Sequence, residues 1–111
     1  MIGKVNSAGG IKKLVMAQGE DSSGLGKTFY VNLTCDFDPL VVVAAGPYNS
    51  VGPGNYQVKY KLTKNGAWQE AIPENSGLID ISGRTLRAGP FSNPDTGYTG
   101  TGYIIAFGFP D

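Results

Sequence analysis

Residues 55–72 restrict the fold more than any other stretch. Tyr56, Val58, Tyr60 and Leu62 alternate with Gln57, Lys59, Lys61 and Thr63. This period of two gives a strand one dry face and one wet face. Lys64-Asn65-Gly66 follows, and Asn and Gly tolerate the positive φ of a tight reversal. Ala67-Trp68-Gln69-Glu70-Ala71-Ile72 then returns as a second strand. Two registers fit. A two-residue turn at Asn65-Gly66 sets Trp68 opposite Thr63 and Glu70 opposite Lys61. A three-residue loop with Gly66 left-handed sets Trp68 opposite Leu62 and Ile72 opposite Val58. The second is preferred because it gathers the apolar residues on one face. It makes Val58, Tyr60, Leu62, Trp68 and Ile72 core, and leaves Gln57, Lys59 and Lys61 on a solvated face. The remaining chain must then supply more sheet to cover the apolar side.

The sequence either side of this hairpin meets that demand. Residues 1–10, with three glycines, Asn6 and Ser7, read as a flexible arm in which only Ile2 and Val5 can pack. A first strand is expected over 11–17 and a loop over 19–27. Residues 28–35 alternate, with Tyr30, Asn32 and Thr34 on the wetter side. Asp36-Phe37-Asp38-Pro39 reads as a turn. The β-branched run over 40–45 suits a strand covered on both faces. Glycine and proline make 46–54 a loop. Pro73–Gly77 turns again, and Leu78, Ile79 and Ile81 form a short strand with Asp80 and Ser82 outward. Gly83-Arg84 is a turn or bulge, 85–87 continues the strand, and 89–102 is a long loop. Residues 103–109 close the chain as a strand with Ile104, Ala106 and Gly108 on one phase. No segment carries a sustained 3.6-residue apolar stripe. The expectation is an all-β antiparallel β-sandwich, immunoglobulin-like or jelly-roll-like, of six to eight short strands over residues 11–111.

Bulk composition agrees. The 111 residues suffice for one domain. Charged residues are 16 %, while glycine numbers 17 and proline 7, so turns are abundant and the surface is poor in charge for a free protein. Nine basic and nine acidic side chains cancel, leaving no long-range field to draw the chain onto nucleic acid. No charged-then-apolar leader and no run of 18 apolar residues is seen, so the expectation is a chain neither exported by the usual route nor membrane-spanning.

The chemistry-bearing candidates are few. Histidine is absent, which excludes Ser-His and Cys-His nucleophilic pairs and histidine-bearing zinc sites. Cys35, the single cysteine, falls on the apolar phase with Phe29, Val31 and Leu33 and reads as a buried inert thiol. Ser23-Gly24-Leu25-Gly26-Lys27-Thr28 ends like a phosphate-binding loop, but Asp21 stands where the first glycine belongs. The segment also feeds a strand rather than a helix N-terminus. Asp36 and Asp38 could offer oxygen ligands to Ca²⁺, but a solvated turn explains them. No cofactor, no metal and no enzymatic activity is expected. Tyr48 and Tyr98, in glycine-rich loops, could stack on sugar with Trp68.

Val58-Lys59-Tyr60-Lys61-Leu62-Thr63-Lys64-Asn65-Gly66-Ala67-Trp68-Gln69 resembles a hairpin of immunoglobulin-like and fibronectin-like sandwiches. The glycine-rich arm, the covered hairpin and the closing Tyr103-Ile104-Ile105-Ala106-Phe107-Gly108-Phe109 resemble small all-β accessory proteins of tailed-phage virions. That resemblance implies a non-enzymatic virion component made in the host cytoplasm: a capsid decoration (cement) protein, or a tail or fibre component. Its expected partners are copies of itself and a major capsid or tail protein, with no nucleic acid and no membrane. Ile2, Val5, Tyr48, Phe91 and Tyr98 are the expected partner contacts. The alternative expectation is a carbohydrate-binding β-sandwich using loop tyrosines.

Overall fold

The computed structural model describes residues 13–24, 26–47, 54–92 and 100–110. Eight strands form two antiparallel sheets. The larger sheet has the order β1 (Val15–Ser23), β8 (Gly100–Phe109), β3 (Asp38–Ala45), β4 (Tyr56–Tyr60), β5 (Gln69–Glu70). The smaller has the order β2 (Thr28–Thr34), β7 (Thr85–Ser92), β6 (Ile79–Ser82). The chain is therefore the expected all-β antiparallel sandwich. β1 pairs with β8 in one sheet and β2 with β7 in the other, the way a jelly roll is wound over its first two pairs. The winding stops there, since β3 pairs with β4 and β6 with β7.

The two sheets contribute unequally to the core. The smaller sheet and its flanks supply bulk: Val31, Phe37, Leu78, Ile79, Leu86 and Phe91 are all buried. The larger sheet answers with small side chains, Ala44, Ala106, Gly102 and Gly108 beside Val42 and Ile104. These small residues are required by closeness. A Cβ on Gly102 would stand 2.9 Å from the Phe91 ring and 3.0 Å from Val31. One on Gly108 would run into the Asp38 carbonyl and the Phe37 ring.

Several boundaries differ from expectation. β1 starts later than 11–17 and runs to Ser23, through part of the expected 19–27 loop. β8 likewise begins at Gly100, inside the expected 89–102 loop, and β7 reaches Ser92. Glu20, Asp21, Ser22 and Ser23 pair with Tyr103, Gly102, Thr101 and Gly100. These segments are polar and glycine-rich, so they carry no apolar alternation, yet ladder hydrogen bonds need only backbone. Pro39 lies within β3, where the register with β8 shifts, a place where a missing N–H is tolerated. Residues 73–75 form a single 3₁₀ turn.

The hairpin that restricts the fold has its faces reversed. Gln57 is 0 % exposed, while Tyr56 is 54 % and Leu62 84 % exposed. Gln57 and Lys59 pair with Ala44 and Val42, the buried residues of β3, so they point toward the smaller sheet. Tyr56, Val58 and Tyr60 point away from it. The register is also neither of the two expected: Lys59 faces Glu70 and Tyr60 faces Gln69. Gly66 does not take positive φ, and its N–H closes a β-turn onto the Thr63 carbonyl at 3.0 Å inside the longer connection between β4 and β5. The cause is the narrowness of the smaller sheet. Three strands cannot cover five, and the chain between β5 and β6 crosses the inner side of β4 instead. That crossing is irregular backbone, so it needs polar partners beneath it. Gln57 supplies them.

Candidate functional site

Four of the five expected contact residues, Ile2, Val5, Tyr48 and Tyr98, lie outside the described residues. The fifth, Phe91, is fully buried. Its ring lies 5.8 Å from that of Phe29, tilted by 47°. Phe91 is thus taken up by the core, because Gly46 and Gly102 bring the larger sheet against its two sides. Trp68 is half-buried against the core, and the Lys61 ammonium stands 4.8 Å from its ring centre. Tyr103 is exposed rather than packed inside.

The β1–β2 connection does not form a phosphate cradle. β1 ends at Ser23, the Lys27 N–H turns onto the Gly24 carbonyl at 3.1 Å, and Thr28 opens β2. Among the described residues no three of His, Cys, Asp and Glu gather to hold a metal. Asp38 is already engaged. Arg84 donates through Nε at 3.0 Å to one carboxylate oxygen, and Lys64 lies 3.2 Å from the other. Asp38 lines a shallow cleft of about 190 Å³ with Lys61, Lys64, Asn65 and Gly83, small beside the ~300 Å³ or more of a typical ligand pocket. Cys35 is buried beside this corner, and burial pushes its thiol pKa up, which keeps it protonated and unreactive.

The Arg84 hydrogen bond, then that of Lys64, holds the Asp38 carboxyl below its ordinary range. A lowered folded pKa stabilises the fold above the unfolded value of about 3.9, and that contribution fades as pH falls through the folded value. Asp38→Asn is therefore expected to melt lower than wild type at pH 7, with the gap closing below about pH 4. Thermal melts of both proteins from pH 7 to pH 2 check this. All three charged groups are partly solvated, so added salt should shrink the gap as well.

The most distinctive surface is the outer side of the larger sheet. Register places its side chains in rows across the strands. One row runs Met16, Phe107, Val41, Tyr60. The next runs Gln18, Ile105, Val43, Val58, and the third Glu20, Tyr103, Ala45, Tyr56. Leu14 and Phe109 extend the face and are also exposed. β8 shows the asymmetry most clearly. Its inner phase is Gly102, Ile104, Ala106 and Gly108, and its outer phase is Tyr103, Ile105, Phe107 and Phe109. The larger apolar side chains face outward, and the one carboxylate in these rows, Glu20, sits on edge strand β1. A contiguous apolar face rimmed by polar residues marks a surface that something covers. Sequence reasoning missed it because both phases of β3 and β8 are apolar. The alternation of glycine and alanine with large residues in β8 was the available signal.

Comparison with protein families, curated proteins and solved structures finds no match. The outer face of the larger sheet is therefore the feature from which function is read.

Proposed function

We propose that the chain is a non-enzymatic structural protein of a virion, a capsid decoration protein or a tail or fibre component, acting through protein–protein contacts. One observation carries the assembly part of this reading: the larger sheet turns Phe107, Tyr103, Ile105 and Met16 outward and keeps Ala44, Ala106, Gly102 and Gly108 inside. An apolar, charge-poor centre with aromatic residues is the composition of protein interfaces. The virion part rests on the resemblance of the all-β chain to phage accessory proteins. The test is to purify particles made with and without this chain and ask whether it co-sediments with them. Stoichiometric presence supports the proposal, and absence from the particle overturns it.

The carbohydrate-binding reading keeps one supporting observation. Tyr56 and Tyr103 flank Ala45 in a single row, so two exposed rings stand about 10 Å apart across two strand spacings. Saturable glycan binding abolished by Tyr103→Ala would favour it over the virion role.

A further inference from the structure

We infer that the outer face of the larger sheet docks on the same face of a second copy, about a two-fold axis lying along β3. This inference rests on reading that face as a protein–protein surface. It is independent of whether the resulting assembly belongs to a virion.

Three observations select a second copy over another occupant. The first is the symmetry of the face. β3 is the central strand of five, with β8 on one side and β4 on the other. Both neighbours run antiparallel to β3, so they run the same way as each other. A two-fold parallel to β3 keeps strand direction and lays β8 of one copy over β4 of the next. The residues then match in kind. Tyr103 meets the second copy's Tyr56, Phe107 meets its Tyr60, and Ile105 meets its Val58. In each row the residue on β3 lies on the axis: Ala45, Val41 or Val43. Such a contact is isologous, each copy giving and receiving the same pairs.

The second observation is charge. Within the three rows the one carboxylate is Glu20, on edge strand β1. The axis carries β1 over β5 of the partner, where Gln69 continues the row of Tyr60 and so faces Met16. On β8, β3 and β4, the strands at the axis, the three rows carry no charged side chain, so two copies meet there without like charges opposed, and a charged partner would find little to pair with. Asp38, in the row beyond, is already paired with Arg84 and Lys64.

Area is the third. Four strands about 4.8 Å apart and about four rows roughly 7 Å apart, counting the row to which Phe109 and Leu14 extend the face, give roughly 500 Å² of face per copy. A pair would bury about 1,000 Å², the size at which specific interfaces begin. Stacked sheets pack about 10 Å apart with strands within about 30° of one another, an arrangement these short rows permit.

The test uses sedimentation equilibrium on the full chain. Wild type at about 50 µM is expected to be a dimer, or a larger species that contains this contact. Tyr56→Lys and Tyr103→Asp change exposed residues, so each is expected to keep the wild-type far-ultraviolet circular dichroism spectrum, and to melt lower only by what the lost association contributes. Each should raise the dimer Kd about tenfold or more, the effect of losing about 1.4 kcal/mol. Mixed in equal amounts, the two variants should recover dimer, because the axis sets the introduced lysine of one copy against the introduced aspartate of the other. A monomeric wild type overturns the inference. So does a wild-type dimer that neither variant weakens, or paired variants that fail to rescue. A dimer that never enters particles would remove the virion role and leave this contact standing. A monomer that decorates particles would do the reverse.

Discussion

Gln57→Ala is expected to lower stability by about 3–5 kcal/mol, since it strands several buried polar groups that each cost ~1–3 kcal/mol unpaired. The Gln57 amide is fully buried under the chain that links β5 to β6. Its Nε2 donates toward the Ile72 carbonyl at 2.9 Å, the Asn75 carbonyl at 3.0 Å and Glu70 Oε1 at 3.1 Å. Its Oε1 accepts from the Ile72 N–H at 2.9 Å and the Val58 N–H at 3.0 Å. Asn75 completes the arrangement. It accepts from the Gly54 N–H at 3.1 Å and donates to the Tyr56 carbonyl at 2.6 Å. Alanine keeps none of the Gln57 bonds and opens a polar cavity. Gln57→Glu is a sharper probe, because its shape is unchanged while the donor becomes a charged acceptor facing Glu70 and two carbonyls. It should be more stable in mild acid than at pH 7, because protonating the introduced carboxyl restores a donor and removes the repulsion. Urea unfolding of the three proteins reads both effects. A loss under about 1 kcal/mol for Gln57→Ala would show that the crossing segment is held by other means.

The reversal of β4 shows what alternation can and cannot convey. A period of two states that a strand has two unlike faces, but not which one lies inside. The usual tiebreak, apolar inward, fails here because the polar phase has backbone to satisfy and the apolar phase has a second surface to build. Lys59 illustrates the same point. Its ammonium reaches the Ile79 carbonyl of the smaller sheet at 3.4 Å, whereas its sequence context suggests open solvent. Where one phase is plainly polar, the faces are legible. Tyr30, Asn32 and Thr34 are exposed on β2, Asp80 and Ser82 are exposed on β6, and Cys35 is buried. The Gly83-Arg84 turn is legible too, and Gly83 takes φ +62° there. The outer face of the larger sheet is not, because its residues come from four strands. Nothing in β8 alone points to its neighbours β1 and β3, and only strand order brings the rows together.

Phe91→Ala is the second large effect, and it separates core from contact. A buried phenylalanine truncated to alanine costs about 3–5 kcal/mol when the space cannot collapse. Collapse is hindered here because the ring is flanked by Gly46 and Gly102, at positions where an added Cβ would strike it. Backbone on those sides is held by pairing: the Gly46 N–H bonds the Asn55 carbonyl at 2.9 Å, and Gly102 lies in register with Asp21. Phe29, tilted against Phe91, is the side chain best placed to move inward. If Phe91 acted by touching a partner, its truncation would weaken association and leave the unfolding midpoint alone. The expected result is the opposite, a lowered midpoint with unchanged association of the folded fraction. A double-mutant cycle sharpens the assignment. Gly102→Ala alone should destabilise, because its methyl would stand 2.9 Å from the Phe91 ring. In the Phe91→Ala background the same methyl enters the vacated space, and its cost should vanish or change sign. Contacting residues couple by about 0.5–3 kcal/mol in such cycles. Strict additivity of the two changes would mean that the ring does not fill the gap left by the glycine, and that the two sheets meet elsewhere.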